Sequence, residues 1–164
     1  GYDCDGNFII SPGDNFQGGI VYYIDESGEH GLIAAPNDLA DLYEWGCNDH
    51  EVAGADEHEI GFGLQNTNDI INDACASGPE MTAAEASAAY ENDGYNDWHL
   101  PSRIEMQNFV GFNVFYVPLL EDDFYWTSTE ESEFGAWKIN HITQSFCPNC
   151  DKSTLGKVRP VRYF

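Results

Sequence analysis

GGIVYYIDESGEHGLIAAP, running from Gly18 to Pro36, is the stretch on which the fold turns. Gly19 to Asp25 is β-branched and aromatic, the composition of a half-buried strand. Glu26-Ser27-Gly28-Glu29 carries turn chemistry, and Gly31 to Ala35 returns as a second arm, so the segment reads as a β-hairpin closed by Pro36 to Ala40. Residues 1–17 are rich in Gly, Asp and Asn and read as a linker or a first strand leading into the domain at 18–164. Beyond the hairpin, Trp45 to Leu64 is polar, acidic and glycine-rich, a long loop. Helical signals follow. Thr67 is expected to cap a short helix through Ile70, Ile71 and Ala74. Thr82 with Glu85 forms a capping-box pattern ahead of an alanine-rich run to Tyr90, and Ser102 with Glu105 repeats it before Ile104, Met106, Phe109 and Val110. Phe124 to Ser128, Ala136 to Asn140 and Val158 to Phe164 are β-like. A hairpin, then helices, then strands predicts an α+β domain rather than an alternating α/β one.

The chain has 164 residues, enough for one hydrophobic core. Its 29 acidic residues against 6 basic ones leave a formal charge of −23. That sign argues against nucleic acid, whose affinity rests on phosphate contacts, and no apolar run reaches the ~20 residues of a membrane span. Neither a basic n-region nor an apolar h-region opens the sequence, so an export signal is expected upstream or already removed. The acidity reads first as a solvated surface. Its sharper reading is calcium, a hard cation that takes oxygen ligands, with Asp49, Asp56 and Glu59 of the long loop as candidates beside Glu51. All basic residues except Arg103 follow Trp137, where Asp151 is the only acid.

Five cysteines in a domain this small point to an oxidising compartment. Cys47 and Cys75 flank the acidic loop and the first helix and form the simplest pair. Cys147 and Cys150, in a CPNC loop, can close on each other. Cys4 is then free, paired upstream, or a competitor for that loop. Near the chain's middle, Asn96, Asp97 and His99 read either as part of a metal or sugar site or as local bridging groups beside core Trp98 and Leu100. Glu130 is expected to form a buried fork with Arg159 or Arg162. No nucleophile elbow, HExxH or phosphate-cradling glycine loop is present, so the chain is not read as an enzyme.

Seven segments in order, GGIVYYIDESGEHGLIAAP, WGC, IGFGLQNTNDII, GYNDWHLPSRIEM, YWTSTE, AW and VRPVRYF, resemble the C-terminal domain family of the Legionella collagen-like adhesin. They are more distantly similar to the Fibrobacter major paralogous domain. The resemblance spans residues 18–164. It implies a C-type-lectin-like α+β fold, an antiparallel sheet with two to three helices and long loops, in a secreted or cell-surface protein. It also implies binding of sulfated glycans and assembly as a homotrimer. A polyanion binder needs a positive surface, so on this chain calcium or the C-terminal basic cluster would have to mediate such binding.

The expected function is therefore adhesin-type recognition of a glycan or surface protein. Residues 131–157 are its expected loops, being rich in the Asn, Gln, Ser, Thr and aromatic chemistry that contacts ligands adaptably. Glu133, Lys138, Asn140, His141, Gln144, Asn149 and Lys152 are the candidate ligand contacts. Tyr125, Trp126 and Trp137 are assigned to the core. The alternative is a structural or assembly module, trimerising or capping a longer chain without its own ligand.

Overall fold

In the computed structural model, which describes residues 9–76, 78–116 and 123–164, the hairpin forms as its composition predicts. Strands β2 (Gly19–Ile24) and β3 (Gly31–Ala34) pair antiparallel, with Val21 opposite Ile33 and Ile24 opposite Gly31. Asp25 makes the turn by accepting from the amides of Ser27 and Gly28, and Gly28 takes φ +76°. On one side β2 pairs with β1 (Asn15–Phe16), so the packed body begins before residue 18. On the other side β3 pairs antiparallel with β7 (Val161–Tyr163), which places Ile33 opposite Arg162. The first and last strands of the described residues thus share one sheet, ordered β1-β2-β3-β7.

A second antiparallel sheet, β4-β5-β6, is built from Phe124–Glu130, Gly135–Asn140 and Phe146–Asp151. The structure is therefore α+β, with two sheets where one was expected. Strand β6 is the larger surprise, since it contains the CPNC segment that reads as a loop. Pro148 cannot donate to a ladder and is tolerated because β6 is an edge strand.

Three helices connect the sheets: α1 (Gly63–Asn72), α2 (Ala83–Ala88) and α3 (Arg103–Tyr116). Thr82 caps α2 in a full capping box with Glu85. At the start of α3, Ser102 and Glu105 exchange the same reciprocal bonds. Thr67 does not cap α1. Instead Phe62 precedes the first turn, and the buried Thr67 hydroxyl donates to the Gly63 and Leu100 carbonyls. Trp45, Ile70, Leu100, Trp126 and Val158 form one buried cluster. Tyr22, Leu32, Met106, Phe109, Tyr125 and Ile139 form a second beneath α3, and Val21, Ile33 and Trp98 a third. Each large side chain so removed from water contributes roughly 1.5–3 kcal/mol before ordering costs. Disulfides join Cys47 to Cys75 and Cys147 to Cys150, while Cys4 lies outside the described residues. No helix among the described residues is long and apolar enough to cross a membrane.

Candidate recognition surface

The basic residues are mostly structural. Lys152 is fully buried, and its ammonium donates to the carbonyls of His50 (2.8 Å), Glu133 (3.2 Å) and Cys47 (3.3 Å) and to the Glu130 carboxylate. Its Nζ also lies 4.7 Å from the centre of the Trp45 ring. Glu130 in turn accepts from the Val52 amide with both oxygens. Burial pushes the Glu130 carboxyl above the usual range, while the Lys152 ammonium and the Val52 amide pull it back in part. This corrects two expectations. Glu130 pairs with Lys152, not with Arg159 or Arg162, and Lys152 is an internal clasp rather than a ligand contact.

The two arginines have other partners. Arg159 donates from Nε to Asp38 at 2.6 Å and from Nη1 to the Ala35 carbonyl at 2.8 Å. Arg162 forks onto Asp97 at 2.6 and 2.8 Å and reaches the Gln17 side chain. The hydrogen bond from Arg162 is the main reason the Asp97 carboxyl sits below its usual range. In the 95–102 segment, Asp97 therefore holds β7 while Trp98 and Leu100 enter the core. His99 is fully buried against the Tyr163 ring, its Nε2 3.5 Å from Glu105. Asn96 stays exposed. Burial pushes the Glu105 carboxyl up, but His99, the Tyr163 hydroxyl and the Ser102 amide outweigh it and hold it below its usual range.

The remaining expected ligand residues divide by exposure. Glu133, Gln144 and Asn149 are exposed and His141 is half-buried. Lys138 is 4% exposed. Its Nζ bonds the Thr154 hydroxyl and the Leu155 carbonyl at 3.0 Å each, and lies 3.8 Å from the centre of the Trp126 ring. Asn140 is also buried, and its Oδ1 accepts from the amides of Ile142 and Thr143, building the β5–β6 turn. Lys138 and Asn140 therefore leave the contact set, because β5 turns them inward. Asp49, Asp56 and Glu59 are exposed and do not converge. Among the described residues, the one group of three or more His, Cys, Asp or Glu ligand atoms within 4.8 Å of one another is Cys47, Asp73 and Cys75, whose two sulfurs are bonded to each other.

What the sequence reading missed is a ledge around Trp137. Tyr125 and Trp126 are core, as expected, but Trp137 is only half-buried. Its ring centre lies 4.9 Å from the Arg103 guanidinium, and the His58 and Phe146 rings approach it edge-on at 5.6 and 5.9 Å. Its indole N–H donates to the exposed Glu131 carboxylate at 2.7 Å. Arg103 donates from Nε to His58 and, among the described residues, makes no ion pair. The cluster unites the start of α3, the long loop, β5 and β6. The only sequence signal was Arg103, the one base outside the C-terminal stretch.

No family model matches this chain, and no curated protein matches it. Fold and surface define a disulfide-bonded α+β domain with two antiparallel sheets and an aromatic–cationic ledge.

Proposed function

We propose that this protein is an extracellular recognition module of adhesin type that binds a glycan or a surface protein. The observation that carries the reading is the Trp137 ledge. A half-buried indole framed by a guanidinium, an imidazole and a carboxylate offers an apolar face for a sugar ring's C–H groups, with donors and acceptors for its hydroxyls beside it. Two disulfides support an oxidising, extracellular setting. The C-type-lectin-like frame belongs to the same proposal, supported by the α+β architecture. Because the Lys152 ammonium already fills the oxygen cage that organises the long loop, binding is expected without calcium.

The test is a glycan array probed with calcium and again with chelator, using wild type, Trp137→Ala and Arg103→Ala. We expect chelator-insensitive binding that falls at least ~10-fold in both variants, a loss of about 1.4 kcal/mol. Binding that survives both substitutions unchanged rejects the ledge as the site.

A further inference from the structure

A second surface, independent of the Trp137 ledge, lies where the first long connection meets the start of α2. Tyr43 and Gly156 form an antiparallel bridge that brings the Leu42 and Leu155 stretches side by side. The Ala83 amide donates to the Glu44 carbonyl at 2.8 Å, which draws in the segment carrying Met81 just ahead of the Thr82 cap. Leu42, Met81 and Leu155 are 43%, 54% and 59% exposed. They are three of the seven exposed large apolar residues among those described, and all three line one cleft. Its wall includes Gly46 and Cys75, so the Cys47–Cys75 disulfide fixes its shape. Exposed Asp41 and Glu80 flank the apolar residues, and among the described residues no basic side chain lines it.

Size and charge select the occupant. The cleft holds about 210 Å³, below the ~300–1,000 Å³ of small-molecule sites. It suits one or two side chains of a polypeptide. Its apolar lining asks for an aliphatic tip, and its carboxylates ask for a cation beside that tip. A second copy of this chain is poorly suited to supply it, because Lys138, Lys152, Arg159 and Arg162 are buried, Arg103 is packed against the Trp137 ring, and Lys157 is half-buried. We propose that this cleft docks a foreign polypeptide segment in which an aliphatic side chain is flanked by Lys or Arg. Apolar contact would hold the segment, and electrostatic complementarity would select and steer it.

The test uses three synthetic peptides, acetyl-Lys-Leu-Leu-Arg-amide and the same sequence with Gln or Glu at both charged positions, titrated into isotopically labelled protein. The basic peptide should give saturable amide shifts centred on Leu42, Met81 and Leu155, with affinity of roughly millimolar or tighter. The Gln peptide should bind at least ~5-fold more weakly and the Glu peptide not measurably. Met81→Ser and Leu155→Ser, at exposed positions that leave the fold intact by melting temperature, should abolish the shifts, and Glu80→Lys should weaken them at least ~10-fold. Three outcomes overturn the proposal: equal binding of all three peptides, shifts from the basic peptide spread over the whole acidic surface, or no saturable binding by the basic peptide.

Discussion

Lys138 shows how one residue's environment changes its chemistry. On an exposed loop its ammonium would be an ordinary surface cation. On β5 it is buried, with one hydroxyl, one carbonyl and the Trp126 ring as neighbours. Burial lowers its pKa to about 8 from 10.5, against the opposing pull of Asp123 and Asp151. A lysine whose folded pKa is depressed binds fewer protons folded than unfolded between those values, so stability rises with pH across that window. Below about pH 8 both states carry the proton and the full penalty applies, roughly 3 kcal/mol. Urea denaturation at about pH 7 and about pH 9.5 should therefore show wild type gaining on Lys138→Met. Parallel pH profiles for the two proteins would show that the ammonium is not desolvated. The comparison stays below about pH 10 because Tyr22 and Tyr163, which burial holds neutral in the fold, reverse the slope above it.

Between elements, the β5–β6 hairpin is clasped to the long loop by one buried cation. Lys152 leaves the end of β6, crosses to the carbonyls of Cys47 and His50, and meets Glu130 at the end of β4. Three carbonyls and a carboxylate around a cation is the arrangement a hard metal ion would seek, here satisfied by an ammonium. Removing it leaves Glu130 buried and unpaired. Lys152→Met should cost about 3–5 kcal/mol. Faster hydrogen exchange should appear at His50 and Asp49, whose amides donate to the Glu133 carbonyl of the same junction. Arg162→Met should cost less, since its partner Asp97 has a 56% exposed side chain and can be rehydrated. Equal losses for both variants would mean that the clasp is not special. The Cys47–Cys75 bridge acts on the same loop from its other side, closing a sequence separation of 28.

For the molecule as a whole, burying four of six bases leaves a surface that is almost wholly acidic. Self-repulsion should weaken the fold at low salt and be relieved by screening. Asp49, Asp56 and Glu59 do not gather, so calcium and sodium at matched ionic strength should raise the melting temperature equally. A specific site filled at 100 times its dissociation constant would add about 2.7 kcal/mol beyond screening. A calcium excess that disappears in Asp56→Asn would reveal such a site and show that the long loop is held by more than the clasp and the Cys47–Cys75 bridge. The same charge bears on ligands, since a long polyanion meets a repulsive surface everywhere except near groups such as Arg103.

How much was legible depends on the range of the interaction. The 19–35 hairpin, the boxes at Thr82/Glu85 and Ser102/Glu105, and the α+β order could be read because each rests on residues a few positions apart. Their hydrogen bonds and periodicities are local, so the sequence carries them openly. The start of α1 was misread because Thr67 bonds backward within the helix to Gly63 and across to Leu100. Strand β6 was hidden by a proline that only an edge position excuses. The partner of Glu130 could not be read at all. Six bases are available to it in composition, Arg159 and Arg162 were the expected partners, and only the crossing of β4, β6 and the long loop brings Lys152 within reach and carries Arg159 and Arg162 to Asp38 and Asp97. The Trp137 ledge is of the same kind, gathering residues 58, 103, 131, 137 and 146. The sequence by itself determined the first hairpin, the capped starts of α2 and α3, and the sign of the surface. The tertiary structure decided which charges are buried and which aromatic stays at the surface, because desolvation and pairing depend on neighbours that distant segments supply.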